Sequence, residues 1–114
     1  MTKELINNAV SRYADEVRAI YGSLLYKVIL YGSCARGDFD EESDVDIMVL
    51  LNIPHEDVKY ERKKARDIAN RLDREFTYEV MLMPSIQSKE HYDKYMRDLP
   101  LFANIEKDGV VYVG

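Results

Sequence analysis

Apolar and polar positions alternate along this chain with two periods. Over residues 3–21, Leu5, Ala9, Val10, Tyr13, Val17 and Ile20 return every three or four positions, with charged residues between them. That spacing predicts an amphipathic helix with one face for a core, and Gly22 predicts its end. From Tyr26 to Tyr31 the pattern becomes a short apolar run, which predicts a buried strand. Asp44–Leu51 predicts a second strand. Pro54 breaks the chain, and helical spacing resumes. Val58, Ala65, Ile68, Ala69, Leu72 and Phe76 predict a long helix over Glu56–Phe76. Thr77–Met83 reads as a third strand stopped by Pro84, because proline cannot donate to a sheet ladder. Residues 86–98 are expected to be helical. Pro100 interrupts, Leu101–Lys107 predicts one or two further helical turns, and Gly109 precedes a short last strand, Val110–Val113.

The predicted order, α-β-β-α-β-α-β, points to an α/β (α+β) class with a small mixed β-sheet and helices packed on it. With 114 residues, 46% of them hydrophobic, the chain is expected to form a single domain over 1–114 around one modest core. It contains no internal repeat, low-complexity tract or shift in composition.

Charge narrows the function classes. The formal net charge is −5. Long nucleic acid is therefore an unfavourable partner, since phosphate backbones demand clustered Lys and Arg. Lys59, Arg62, Lys63, Lys64 and Arg66 are basic, but Glu56, Asp57, Glu61 and Asp67 are interleaved, as on a solvated helix face. No segment reaches the roughly 18 apolar residues of a membrane span. Cys34 is the single cysteine, which excludes an internal disulfide and agrees with a cytoplasmic location. It has no basic neighbour in sequence to activate it as a nucleophile. His55 and His91 stand apart from any His/Cys/carboxylate cluster and are expected at the surface. Of the nine tyrosines, Tyr92 and Tyr95 are candidates for a partner interface.

Chemistry concentrates where the first two strands meet. Val28-Ile29-Leu30-Tyr31 runs directly into Gly32-Ser33-Cys34-Ala35-Arg36-Gly37, and Ser43-Asp44-Val45-Asp46-Ile47 opens the next apolar run. Gly32 permits positive φ and close approach of a ligand to the backbone. Ser33 adds a hydroxyl, and Arg36 a permanent positive charge. Two residues apart on a strand, Asp44 and Asp46 project to the same face. There they repel unless a cation lies between them, and magnesium, which prefers carboxylates together with substrate phosphates, is the natural one. Either motif alone is also what an N-capped turn or a solvated Asp-x-Asp looks like. Together, each tied to an apolar run, they predict a phosphate cradle beside a metal site.

Gly32-Ser33 with Arg36-Gly37, followed by Ser43-Asp44-Val45-Asp46-Ile47, resembles the signature of the DNA polymerase β-type nucleotidyltransferase superfamily. The short length resembles its minimal nucleotidyltransferase (MNT) branch. The resemblance implies that Gly32 and Ser33 contact nucleotide phosphates, with Arg36 assisting, and that Asp44 and Asp46 bind two magnesium ions. Members usually add a third carboxylate, an aspartate on a later strand. The only acid in the expected strand Thr77–Met83 is Glu79, which the resemblance makes the third catalytic and metal-binding residue.

The implied reaction moves a nucleoside monophosphate, AMP from ATP, onto a hydroxyl with release of pyrophosphate. Little chain remains for an acceptor-binding domain or a small-molecule pocket, so the acceptor is expected to be another protein. MNT relatives pair with helical HEPN proteins, which implies an antitoxin that modifies a HEPN-type partner toxin on a hydroxyl such as a tyrosine's. The alternative is a binding module that neutralises such a partner by contact, and a Glu where the family has Asp favours it.

Overall fold

The computed structural model describes residues 1–114. Helix α1 spans Lys3–Tyr21. Thr2 caps it, accepting from the Leu5 N–H at 3.1 Å, and Gly22, at φ 54°, ends it. The buried face is Ile6, Ala9, Val10, Tyr13, Ala14, Val17 and Tyr21. Ile20, expected on that face, is instead exposed, because the helix ends there and Tyr21 turns inward. Strands β1 (Leu25–Tyr31) and β2 (Val45–Leu51) follow, separated by a short helix α2 (Ser33–Arg36).

The expected helix over Glu56–Phe76 is two pieces. His55–Tyr60 forms a tight 3-10 turn that buries only Val58, and α3 spans Arg62–Glu75. Glu61 stands at the break, where its carboxylate accepts from the Tyr21 hydroxyl at 2.9 Å and from Lys64 at 3.3 Å. The two long helices are thereby tied end to end.

The third strand is displaced along the chain. Residues 77–81 do not form it; β3 is Leu82–Ser88. Thr77 and Tyr78 adopt φ of 53° and 58°, values closed to a strand. They wrap the C-terminus of α3, where the Tyr78 N–H donates to the Asp73 carbonyl at 2.8 Å. Pro84 lies inside β3 rather than stopping it. An edge strand tolerates proline wherever its N–H would point away from the ladder. Helix α4 (Lys89–Tyr95) is capped by Ser88, which accepts from the His91 N–H at 3.1 Å. Helix α5 (Pro100–Asp108) begins with proline at its first turn, and β4 (Val110–Val113) closes the chain.

The sheet order is β3-β2-β1-β4, with β2/β3 parallel and the other pairs antiparallel. Its two faces are unequal. On one, Val28, Leu30, Val45, Ile47, Val49 and Leu51 pack against α1 and α3 in a core of 22 buried residues. On the other, Ile29, Met48 and Leu50 meet Tyr92, Phe102 and Ile105 of α4 and α5 in a cluster of six. Tyr92 is therefore core, 2% exposed, and not an interface residue. No helix is long and apolar enough to cross a membrane.

Candidate active site

At the end of β1 the chain turns sharply at Gly32, with φ 74° and ψ −157°. A side chain there would meet two obstacles. The backbone conformation is essentially reserved for glycine, and a Cβ would lie 2.6 Å from Asp46 Oδ2. The absence of a side chain at Gly32 is what lets the Asp46 carboxylate lie against the turn. The Gly32 carbonyl accepts from the N–H groups of Ala35 and Arg36, both at 3.1 Å, which starts α2. The first N–H groups of that turn, at Ser33 and Cys34, have no acceptor within a helix.

Cys34 fastens the turn to the next strand. Its thiol is buried and donates to the Asp44 carbonyl at 3.4 Å. Burial, followed by the Asp46 charge, pushes the thiol pKa up, so it is no nucleophile. Asp44 is exposed and Asp46 half-buried, and neither forms an ion pair. The Asp46 carboxyl is raised above the usual carboxylate range, first by burial and then by Asp44, with Arg36 pulling in the opposite direction. Arg36 itself bonds Asp38 at 3.3 Å through Nε, yet it stays close enough to Asp46 to act on its charge.

The residues present fit a hard divalent cation. Two carboxylates share one face with no protein cation between them, one is raised by burial and then by the other's charge, and it lies against a turn left bare by glycine. Glu79 does not join them. It lies in the turn before β3, facing a groove with Met1, Thr2, Leu5, Glu41 and Tyr78. No three His, Cys, Asp or Glu side chains form a group able to hold a metal ion. The expected strand over residues 77–83 does not form, so Glu79 is not carried on the sheet beside the pair, and β3 itself, Leu82-Met83-Pro84-Ser85-Ile86-Gln87-Ser88, holds no acid.

Register places two unforeseen neighbours beside Asp46. Tyr31 stands opposite it on β1 and Met83 beside it on β3. The Tyr31 hydroxyl bonds Ser85, which partly offsets the upward push of burial on its pKa. Tyr31 immediately precedes Gly32 in sequence, which is a usable signal; Met83 and Ser85 give none. His55 and His91, expected apart, stack with centroids 4.0 Å apart and planes at 10°. Burial and the charge of His55 push the His91 pKa down. Parallel stacked rings do not converge on a metal.

A glycine turn at one strand end, with a carboxylate pair at the start of the next strand of a mixed sheet, defines the class of enzymes that transfer nucleotidyl groups. The chain belongs to the nucleotidyltransferase domain family, whose model matches residues 10–112. It is 36% identical over 81 residues to MJ0141 of Methanocaldococcus jannaschii, which carries a provisional name as a protein adenylyltransferase. That match covers 70% of this chain and 77% of the relative. A nucleotidyltransferase structure from Sulfolobus solfataricus superimposes with TM-score 0.58 at 19% identity, covering 96% of this chain and 80% of that one. A toxin–antitoxin structure with AMP-PNP gives 0.53 at 15%, covering 91% and 73%. The fold is that of the polymerase β-type nucleotidyltransferases.

Proposed function

We propose that this chain, as a single domain over 1–114, transfers AMP from ATP to a hydroxyl of a partner protein in the cytoplasm. The observation that carries the reading is the contact between Asp46 and Gly32: a carboxylate raised by burial and then by its neighbour's charge is held against a turn that only glycine can make. The adenylyl specificity is supported by the name that MJ0141 carries.

Asp44 and Asp46 would hold magnesium, two ions with the nucleotide, and the metal would supply neutralisation of the triphosphate and activation of the attacking oxygen. The chain's own part is positional. Ser33, through its hydroxyl, and the turn N–H groups bind the outer phosphates. Arg36 adds positive potential next to them. The acceptor hydroxyl gives up its proton to solvent, its oxygen bonds to the α-phosphorus as the bond to the bridging oxygen breaks, and pyrophosphate leaves. Glu79 takes no part.

The partner is a toxin, of HEPN type by resemblance; the toxin part of the reading draws support from the toxin–antitoxin structures that share this fold. A second reading, neutralisation by contact, draws on one observation: β3 brings no third carboxylate to the pair.

Magnesium with ATP, binding only the folded state, should stabilise it by about 2.7 kcal/mol at a hundredfold excess over Kd. Asp44→Asn should abolish that shift and Glu79→Gln should keep it. With labelled ATP and a partner, wild type should raise the partner's mass by whole nucleotide units. An unmodified partner, fully neutralised by Asp44→Asn, would reverse the order of the two readings.

A further inference from the structure

Strand β3 is an open edge, paired only with β2. The Val45 N–H donates to the Met81 carbonyl at 2.8 Å. In the alternation of a parallel ladder, Met83, Ser85 and Gln87 then bond inward, and Leu82, Pro84, Ile86 and Ser88 turn their backbone groups outward. Two of those four outward positions offer no free donor. The Leu82 N–H donates to Asp73 Oδ1 at 3.0 Å, and Pro84 has none. What remains are the Ile86 and Ser88 N–H groups with a row of carbonyls, and both lie past Pro84, which confines pairing to the second half of the strand.

Beside this edge runs a groove of about 410 Å3. Arg62, Arg66 and Asn70 line it from α3, at fourth positions along one helical face. Met83, Ser85 and Gln87 line it from the other side of the edge. Lys63, Lys64 and Arg71 of α3 are each paired to carboxylates, whereas Arg62 and Arg66 form no ion pair. The Gln87 Oε1 atom is buried with no hydrogen-bond partner. The groove thus offers two free guanidinium groups and an amide, on a chain whose net charge is −5. It also ends at the active site, because Met83 is the register neighbour of Asp46.

We propose that this groove receives an extended, acidic segment of the acceptor protein. The segment pairs with the Ile86 N–H and the outward carbonyls of β3, and its carboxylates engage Arg62 and Arg66. Three residues at about 3.3 Å each separate Ile86 from Met83, so the acceptor hydroxyl sits about 10 Å along the segment from its contact with Ile86. A nucleic-acid strand fits worse, since two arginines make no continuous track and the loop 38–44 beside the site is acidic. A second copy of this chain also fits worse. In its own acidic loop, Asp38 is bonded to Arg36, Asp40 to Ser43 and Glu41 to the N-terminus.

This inference rests on the transfer reading for the identity of its occupant, but it is testable without ATP or metal. The probe is a short fluorescein-labelled peptide of alternating glutamate and valine closed by a tyrosine, compared with its lysine counterpart and a single-stranded oligonucleotide. The acidic peptide should bind in a salt-sensitive way and move the Ile86 amide resonance. Arg62→Glu/Arg66→Glu should lose it by about tenfold or more and gain the lysine peptide. Both arginines are exposed and unpaired, and the milder Arg62→Gln/Arg66→Gln should show the loss without the gain. Preference for the oligonucleotide, acidic-peptide binding indifferent to both double variants, or self-association abolished by them in place of peptide binding would each overturn the proposal. Labelled ATP and magnesium then separate the two readings. A bound peptide left unlabelled at its tyrosine counts against transfer and leaves the groove standing. A labelled peptide insensitive to the charge swap overturns the groove alone.

Discussion

Gly32→Ala tests the junction on which the site depends. The added methyl faces two costs that can be separated. One is backbone strain at φ 74°, ψ −157°, on the order of 1–3 kcal/mol. The other is the 2.6 Å approach to Asp46 Oδ2, where ordinary contact begins near 3.4 Å. The carboxylate must therefore retreat by the difference, 3.4 − 2.6 = 0.8 Å. Tyr31 opposite and Met83 beside it limit where it can go. Overpacking of this kind adds about 1–3 kcal/mol. The control is Gly37→Ala, at φ 89° with nothing within 4 Å, which carries backbone strain alone, about 1–2 kcal/mol.

Urea denaturation should rank the two variants, with Gly32→Ala less stable than Gly37→Ala by about 1–3 kcal/mol. Adenylyl transfer should separate them further, since a misplacement near 1 Å costs about a hundredfold. Asp46→Ala removes the obstructing carboxylate, so Gly32→Ala should cost less stability in that background, a coupling that a double-mutant cycle measures. Equal stability of the two glycine variants, with additivity in the cycle, would refute the claim that Gly32 is kept bare for Asp46.

Asp46 and Asp73 both have carboxyls raised by burial, so their contribution to stability is greatest at low pH and is lost as pH rises through the raised values. Asp46→Asn and Asp73→Asn should therefore match wild type in strong acid and gain on it towards neutrality in thermal melts; a gain confined to low pH would contradict the sign. Tyr13 is fully buried and donates to the Ala65 carbonyl at 3.1 Å, so Tyr13→Phe should cost about 1 kcal/mol in urea titrations with no effect on transfer.

What could be read ahead of the structure was what local chemistry determines. The period of α1, the two apolar runs and the Gly-Ser and Asp-x-Asp elements all depend on residues close in sequence, and they lie where expected. The failures share a cause. Val80-Met81-Leu82-Met83 followed by Pro84 looks like a strand and its stop. Yet Val80 is buried in the turn, where Thr77 and Tyr78 wrap the end of α3 at positive φ, and the strand begins only at Leu82. Pro84 is tolerated because β3 is an edge, a property of topology rather than of the residue. Glu79 was misplaced with the strand it was read onto. Tyr31 and Met83 reach Asp46 only through register, and the His55–His91 stack joins residues from separate elements. Neither can be seen in a single line of sequence.

The inequality of the two sheet faces explains why the site lies where it does. Along β2, Val45, Ile47, Val49 and Leu51 point to the thick core and are fully buried. Asp46, Met48 and Leu50 point to the thin side. Tyr92, Phe102 and Ile105 cover Met48 and Leu50 completely, but Asp46, one step further along the same face, is only half-buried. The second layer is thus one residue short at the end of the strand that carries the carboxylates. Full cover would bury an unpaired charge, which costs several kcal/mol unless it is neutralised. Complete exposure would surrender the partial desolvation that strengthens attraction to a cation. Half-cover on Asp46 and exposure of Asp44 give a pair in which one carboxylate is rigidly packed against Gly32 and the other is open to an arriving nucleotide. The raised carboxyl of Asp46 is the stability cost of that arrangement, and a cation binding with the triphosphate is what would offset it.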